Sequence, residues 1–237
     1  ENRRTTRFEK DGQRFFVKCH FGVGWREIFK NLFQLRLPVV GARNEFRALT
    51  KLKRLGISSL TPVLFYSEGL NPAYQRSCII TRALEGTKSL EELFEGKHIT
   101  IPLKRSLARK IGLIARRLHE NGINHRDFYL CHFHFRLDSR DPCLYLIDLH
   151  RAQLRTNTPT RWRIKDVGGL FFSSFNYDIT SRDVFRFMTV YSGKSLRSTL
   201  TEDAQFWRQV YKRAGQLYLQ NYESLPAWVI RMETRIT

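Results

Sequence analysis

Apolar positions change their rhythm along this chain. Near the start, Arg14-Phe15-Phe16-Val17-Lys18 is a short apolar run of strand length ending in a lysine. From Gly24 to Arg36 the spacing widens: Trp25, Ile28, Phe29, Leu32 and Phe33 share one helical face while Arg26 and Lys30 lie elsewhere. A second helix is expected from Ala42 to Leu55, with Phe46, Leu49, Leu52 and Leu55 as its stripe, Glu45 in its first turn and Gly56 at the C-cap. Val63 to Tyr66 and Cys78 to Thr81 return to strand-like runs, separated by the turn-forming Asn71-Pro72.

The helical rhythm then dominates. Ser89 opens a short helix through Phe94, and a long one is expected from Lys104 to Asn121 on Leu107, Ile111, Ile114 and Leu118, closed by Gly122. Phe133, Phe135 and Leu137 alternate with His132, His134 and Arg136, which predicts a strand with one buried face. A turn over Asp138 to Pro142 leads to a second strand from Leu144 to Ile147. Further helices are expected from Arg161, from Thr180 to Tyr191, and from Thr201 to Tyr222 with Phe206, Val210, Ala214 and Leu217 on one side. The order of elements predicts an α+β chain: a small β-rich N-lobe over residues 1–83 and a helical C-lobe over residues 84–237.

Composition adds charge to this picture. The 237 residues are 42% hydrophobic, enough for a sizeable core, and no apolar run approaches the length of a membrane-spanning helix. A soluble, cytoplasmic chain is expected. The formal net charge of +19 draws anions: nucleic acid, an acidic membrane surface, an acidic protein or a phosphorylated substrate. Arg105, Arg109, Lys110, Arg116 and Arg117 crowd the long helix with scarcely an acid among them. No helix-turn-helix, RNP or zinc-finger pattern is present, so no specific nucleic acid is expected. His119, His125, His132 and His134 fit no structural zinc spacing. Cys19, Cys78, Cys131 and Cys143 form no CxxC pair, and reduced thiols are expected.

The candidate chemistry lies in Asn124-His125-Arg126-Asp127-Phe128-Tyr129-Leu130-Cys131-His132 and in the run Leu144-Tyr145-Leu146-Ile147-Asp148. His-Arg-Asp, a polar residue five places on and an Asp closing the next strand make the pattern of the protein-kinase catalytic loop and metal-binding acid. Phosphoryl transfer needs one carboxylate to orient the attacking hydroxyl and take its proton, here Asp127 within the catalytic triplet His125, Arg126 and Asp127. It needs a second to hold Mg²⁺, here Asp148. Lys18 is the candidate for gripping the phosphates of ATP and Glu45 its partner, with Leu84 at the hinge where adenine reads backbone groups. His132 occupies the second metal position, where protein kinases place Asn, although imidazole is a poorer Mg²⁺ ligand than an amide oxygen. Asp166 is expected to anchor the catalytic loop. Residues 1–12 contain one glycine, so the expected glycine-rich phosphate loop does not appear before Lys18.

Gly-Trp-Arg-Glu-Ile-Phe-Lys-Asn, Gly-Ala-Arg-Asn-Glu-Phe, Gly-Ile-Asn-His-Arg-Asp-Phe-Tyr-Leu-Cys-His-Phe, Ile-Asp-Leu-His-Arg-Ala-Gln and Arg-Trp-Arg-Ile-Lys-Asp occur in that order between Phe15 and Tyr191. Together they resemble the bacterial lipopolysaccharide core heptose(I) kinases, a family also similar to the Kdo kinases. The resemblance implies a protein-kinase-like two-lobed fold and transfer of phosphate from ATP, with Mg²⁺, to the first heptose of the lipopolysaccharide inner core. It also implies a location peripheral to the cytoplasmic face of the bacterial inner membrane. An anionic bilayer and an acidic protein are the expected partners besides the lipopolysaccharide. The helix from Trp25 to Phe33 is expected to pack on its own domain, with membrane contact as its alternative. The rival functions are a Kdo, other sugar or protein kinase of the same fold, a degenerate kinase that binds without turnover, and a non-catalytic basic nucleic-acid-binding protein.

Overall fold

Two antiparallel strands with a two-residue connection need a turn whose backbone matches the strand twist. Asp11-Gly12 supplies it, with φ of +52° and +69°. The hairpin joins β1 (Arg3–Lys10) to β2 (Gln13–His20), with Arg3 facing His20 and Lys10 facing Gln13. The structure is a computed structural model and describes residues 3–33, 41–96, 99–136 and 143–236. The chain divides into two compact units, Glu1–Thr87 with Tyr145–Ala152, and Lys88–Leu144 with Gln153–Thr237. The sequence had suggested a division after residue 83, with Asp148 in the second part; by contacts Asp148 clusters with the first.

In the first unit, α1 (Gly24–Phe33) and α2 (Arg43–Arg54) follow the hairpin, and β3 (Pro62–Glu68) and β4 (Arg76–Arg82) complete an antiparallel sheet in the order β1-β2-β4-β3. The apolar stripe of α2 buries Ala48, Leu49 and Leu52, and Phe46 stacks on Phe65 of β3 at 5.1 Å. Residues 34–36, the end of the first expected helix, lie outside the described residues.

The register of β2 on β4 sets Cys19 opposite Cys78, with Cα atoms 4.2 Å apart, and the two are joined as a disulfide. This corrects the expectation of four reduced thiols. Facing positions across a sheet are a matter of register, and a sequence separation of 59 residues does not reveal it. Cys131 and Cys143 stand outside that disulfide as thiols.

β5 (Thr87–Ser89) carries the chain into the second unit. Ser89 caps α3 (Leu90–Glu95): its hydroxyl accepts from the Glu92 N–H at 3.1 Å, and the Glu92 carboxylate accepts from the Ser89 N–H at 2.7 Å. Hydrogen bonds from Ser89 to the carboxylate, that of its backbone N–H foremost and that of its side chain next, hold the Glu92 carboxyl below its ordinary range. Then come α4 (Ile101–Glu120), β6 (Ile123–Asn124), β7 (Phe133–Arg136), β8 (Leu144–Leu146), β9 (Gln153–Leu154), α5 (Thr160–Ser174) and α6 (Ser181–Ser192). α7 (Leu196–Thr201), α8 (Ala204–Tyr218) and α9 (Ala227–Ile236) complete the chain. Leu137 of the expected strand lies outside the described residues.

α4 packs on α6 and α5 on α8, around an aromatic core in which Trp207 is fully buried among Phe171, Phe187 and Tyr191. The single helix expected over 201–222 is divided. Glu202 and Asp203 stand between α7 and α8, and the Lys194 ammonium bridges both carboxylates at 3.2 and 2.8 Å. The buried face of α8 is Trp207, Val210, Tyr211, Ala214 and Tyr218, so Phe206 and Leu217 of the expected stripe sit at its margins. α9 buries Val229 and Met232, and Trp228, near its start, donates its indole N–H to the Phe175 carbonyl at 3.2 Å.

Candidate active site

The loop between β6 and β7 carries Asp127, and its backbone is held by a carboxylate from another element. Asp166 projects from α5 with no solvent exposure. One oxygen accepts the His125 backbone N–H at 2.6 Å and the other the Arg126 N–H at 2.9 Å. Nε2 of His119, on α4, lies 3.3 Å from Asp166, and Nδ1 lies 2.8 Å from the Tyr191 hydroxyl, which accepts from Arg163 Nε at 2.9 Å. One proton arrangement satisfies every bond: Arg163 donates to Tyr191, Tyr191 to Nδ1, and Nε2–H to Asp166. Burial pushes the Tyr191 hydroxyl pKa up, which keeps that donor protonated.

Asp127 itself is half-buried, and its main-chain carbonyl accepts from the Tyr129 N–H at 3.1 Å and from Nδ1 of His132 at 2.6 Å. Gly169 of α5 allows this loop to sit close. A Cβ there would lie 3.1 Å from the Tyr129 ring and 3.3 Å from the Phe128 carbonyl. Ser173, one helical turn on, accepts the Leu130 N–H at 3.0 Å. Arg126 has φ of +76°, a left-handed backbone that costs a non-glycine residue about 1 kcal/mol or more and gathers at functional sites.

The other expected members of the loop take supporting places. His125 has no exposure, and its ring packs 5.8 Å from Phe128 and 5.7 Å from the His132 ring. His132, expected as a doubtful metal ligand, uses Nδ1 to clasp the Asp127 carbonyl.

In the first unit, Lys18 of β2 and Glu45 of α2 meet, Nζ to Oε1, at 2.7 Å, and Glu45 is 1% exposed. The Lys18 ammonium also lies 3.6 Å from a carboxylate oxygen of Asp148. Asp148 has φ of +60° and ψ of +56°, left-handed backbone like Arg126, and Nδ1 of His150 meets its carboxylate at 2.6 Å. Asn44, beside Glu45, donates its amide to the carbonyls of both His150 and Ala152, which fastens the segment after Asp148 to α2. Asn44 stands in the Gly-Ala-Arg-Asn-Glu-Phe motif, but the motif does not reveal this fastening. Leu84 is half-buried and follows Ala83, whose N–H donates to the Arg14 carbonyl at 2.8 Å.

His20, also unforeseen, is 7% exposed, and its pKa falls from the ordinary 6.5 to about 4 through burial first, then through Arg3, His150 and Lys18. Between those values the unfolded chain binds a proton that the folded chain refuses, so stability is complete above pH 6.5 and declines as pH falls toward 4. The full loss is about 3 kcal/mol. Thermal unfolding followed from pH 7 to pH 4 should show a shallower decline in His20→Gln than in the wild type, and parallel curves would reject this assignment.

Beyond β9, three cations surround the Trp162 ring: Arg155 at 5.5 Å, Arg161 at 5.3 Å and Lys165 at 4.6 Å from its centroid. Arg155 is oriented by Asn124 and Gln153, and burial and then Arg161 lower its pKa.

Residues 1–191 match the lipopolysaccharide kinase (Kdo/WaaP) family. The lipopolysaccharide core heptose(I) kinase WaaP of Pseudomonas aeruginosa is 41% identical over 225 residues, 92% of this chain and 84% of that protein. Its namesake in Escherichia coli K12 is 44% identical over 208 residues, 85% of this chain and 78% of that protein. Among solved structures, WaaP in complex with acyl carrier protein superposes with a TM-score of 0.78 at 36% identity, covering 92% of this chain and 86% of that one. The fold is α+β and protein-kinase-like.

Proposed function

The chain belongs to the lipopolysaccharide kinase (Kdo/WaaP) family, and from that premise we propose that it moves the γ-phosphate of ATP to a hydroxyl of heptose I in the lipopolysaccharide inner core. The observation that carries the reading is the Lys18–Glu45 pair at 2.7 Å with Asp148 3.6 Å from the same ammonium. In this reading Glu45 aims Lys18 at the phosphates, so that the cation meets charge without searching for it. Asp148 offers the oxygen donor that Mg²⁺ prefers, and the ion when bound neutralises phosphate charge. Asp127 orients the acceptor hydroxyl and takes its proton, while His125, Arg126 and Asp166 keep its backbone in place. The inner core carries acidic groups, which the cations around Trp162 suit.

Two partners accompany the reading. An acyl carrier protein, bound by the structural neighbour, is acidic and complements a chain of net charge +19. The lipid-anchored acceptor puts the enzyme at the cytoplasmic face of the inner membrane, peripheral to it. Among the described residues no helix is long and apolar enough to cross a membrane.

Labelled ATP with Mg²⁺ and two acceptors tests the proposal: dephosphorylated lipopolysaccharide that retains heptose I, and lipopolysaccharide truncated to its Kdo residues. Label should enter the first at least about tenfold faster than the second. Transfer to the truncated acceptor alone would favour a Kdo kinase, and transfer to neither by folded protein would favour binding without turnover.

A further inference from the structure

An amphipathic helix of a globular domain normally turns its apolar stripe inward. α1 does the reverse. Ile28, 6% exposed, seats the helix, whereas Trp25 is 42%, Leu32 48%, Phe29 51% and Phe33 89% exposed. Phe21, shortly before the helix, is 50% exposed, and the Trp25 and Phe29 rings stack 5.7 Å apart. The expectation that this helix packs on its own domain therefore holds for one apolar residue of five.

The stripe has an ordered layout. At about 100° per residue, Leu32, Trp25, Phe29 and Phe33 follow one another across an arc of about 100°, with Arg26 and then Lys30 next around the helix. Lys30 lies 3.6 Å from Glu27, an exposed pair that leaves both side chains in solvent. Residues 1–87 hold 16 Lys and Arg against 7 Asp and Glu. Bulky aromatic side chains including a Trp, a cationic margin and a basic surround are the features of a helix lying in the interface of an anionic bilayer.

We propose that α1 docks this protein on an anionic lipid surface, with Trp25, Phe29, Leu32 and Phe33 entering the headgroup and acyl boundary and Arg26 and Lys30 meeting lipid phosphates. The choice of occupant leans on the proposed lipid-anchored acceptor, but the docking itself uses neither acceptor nor ATP. A second copy suits the face poorly, because two chains of net charge +19 repel. Rings as unequally exposed as Phe33 and Trp25 are accommodated by fluid hydrocarbon more readily than by a rigid protein surface.

The test uses the full chain with vesicles of phosphatidylethanolamine and phosphatidylglycerol, and vesicles of phosphatidylcholine, none containing lipopolysaccharide. Phe29→Gln with Phe33→Gln should lower co-sedimentation with the anionic vesicles about tenfold or more. Arg26→Glu with Lys30→Glu should lower it about tenfold on anionic vesicles and change little on phosphatidylcholine. Lipids brominated on their acyl chains should quench fluorescence in the wild type, and Trp25→Phe should remove most of that quenching. Each variant should keep the wild-type unfolding temperature and its rate on a delipidated core oligosaccharide, so failure of the kinase reading and failure of docking give different results. Unchanged sedimentation of Phe29→Gln with Phe33→Gln overturns the proposal, as does a loss confined to self-association or to acyl carrier protein binding.

Discussion

Asp127→Ala should lower kcat for phosphate transfer about 10³-fold or more and leave the KM for ATP within about twofold. A carboxylate that only orients and deprotonates the acceptor acts in the transition state, so its loss appears in kcat and in kcat/KM alike. The loop itself should survive, because its backbone is fastened by Asp166, Ser173 and His132. Steady-state kinetics at saturating acceptor, with the unfolding temperature measured on the same preparation, decide the matter. A folded variant retaining a tenth of wild-type kcat would remove Asp127 from the proton-transfer role. Asp148→Ala provides the contrast. If its carboxylate holds the metal beside Lys18, the KM for ATP with Mg²⁺ should rise together with the fall in kcat.

The two acids proposed for this site stand out in the sequence because each has a fixed place relative to a neighbour in the chain. Asp127 follows His-Arg directly and Asp148 closes an apolar run. Lys18 and Glu45 are 27 residues apart and were paired only as a strand lysine and a helix acid; the structure brings them to 2.7 Å. What stayed hidden depends on tertiary register. Asn44 has no local signature, because its partners are the carbonyls of His150 and Ala152, more than a hundred positions away. His20 lies two residues beyond the expected strand end at Lys18 and carries no signal until the surrounding Arg3, His150 and Lys18 and its burial are known. The periodicity of α1 was correct as a helix and misleading as a core element: a 3.6-residue rhythm reports that one face is apolar, not what covers it. In α8 the expected stripe shares Val210 and Ala214 with the buried face, but Phe206 and Leu217 stand next to Trp207 and Tyr218, whose polar atoms a strict apolar count discounts.

Asp166→Ala should cost about 3–5 kcal/mol of stability, the largest single loss expected among these substitutions. Its two oxygens, closed to solvent, accept backbone N–H groups from His125 and Arg126 and meet Nε2 of the buried His119. Truncation leaves these donors unsatisfied in the interior. It also frees the left-handed Arg126, whose backbone geometry persists only while something over-determines it. A chain of this length should lose roughly 10–15 °C in unfolding temperature. Asp166→Asn should fall between, since one amide oxygen still accepts while the amide nitrogen faces a donor. His119→Ala removes one contact to the same carboxylate and should cost less than Asp166→Ala. The activity of Asp166→Ala distinguishes an anchor from a filler of the core. Assayed well below its unfolding temperature, the variant should show a kcat reduced at least about tenfold and a KM for ATP near wild type, because the carboxylate holds the backbone on which Asp127 is carried. Wild-type kcat in a merely less stable protein would assign Asp166 to packing alone.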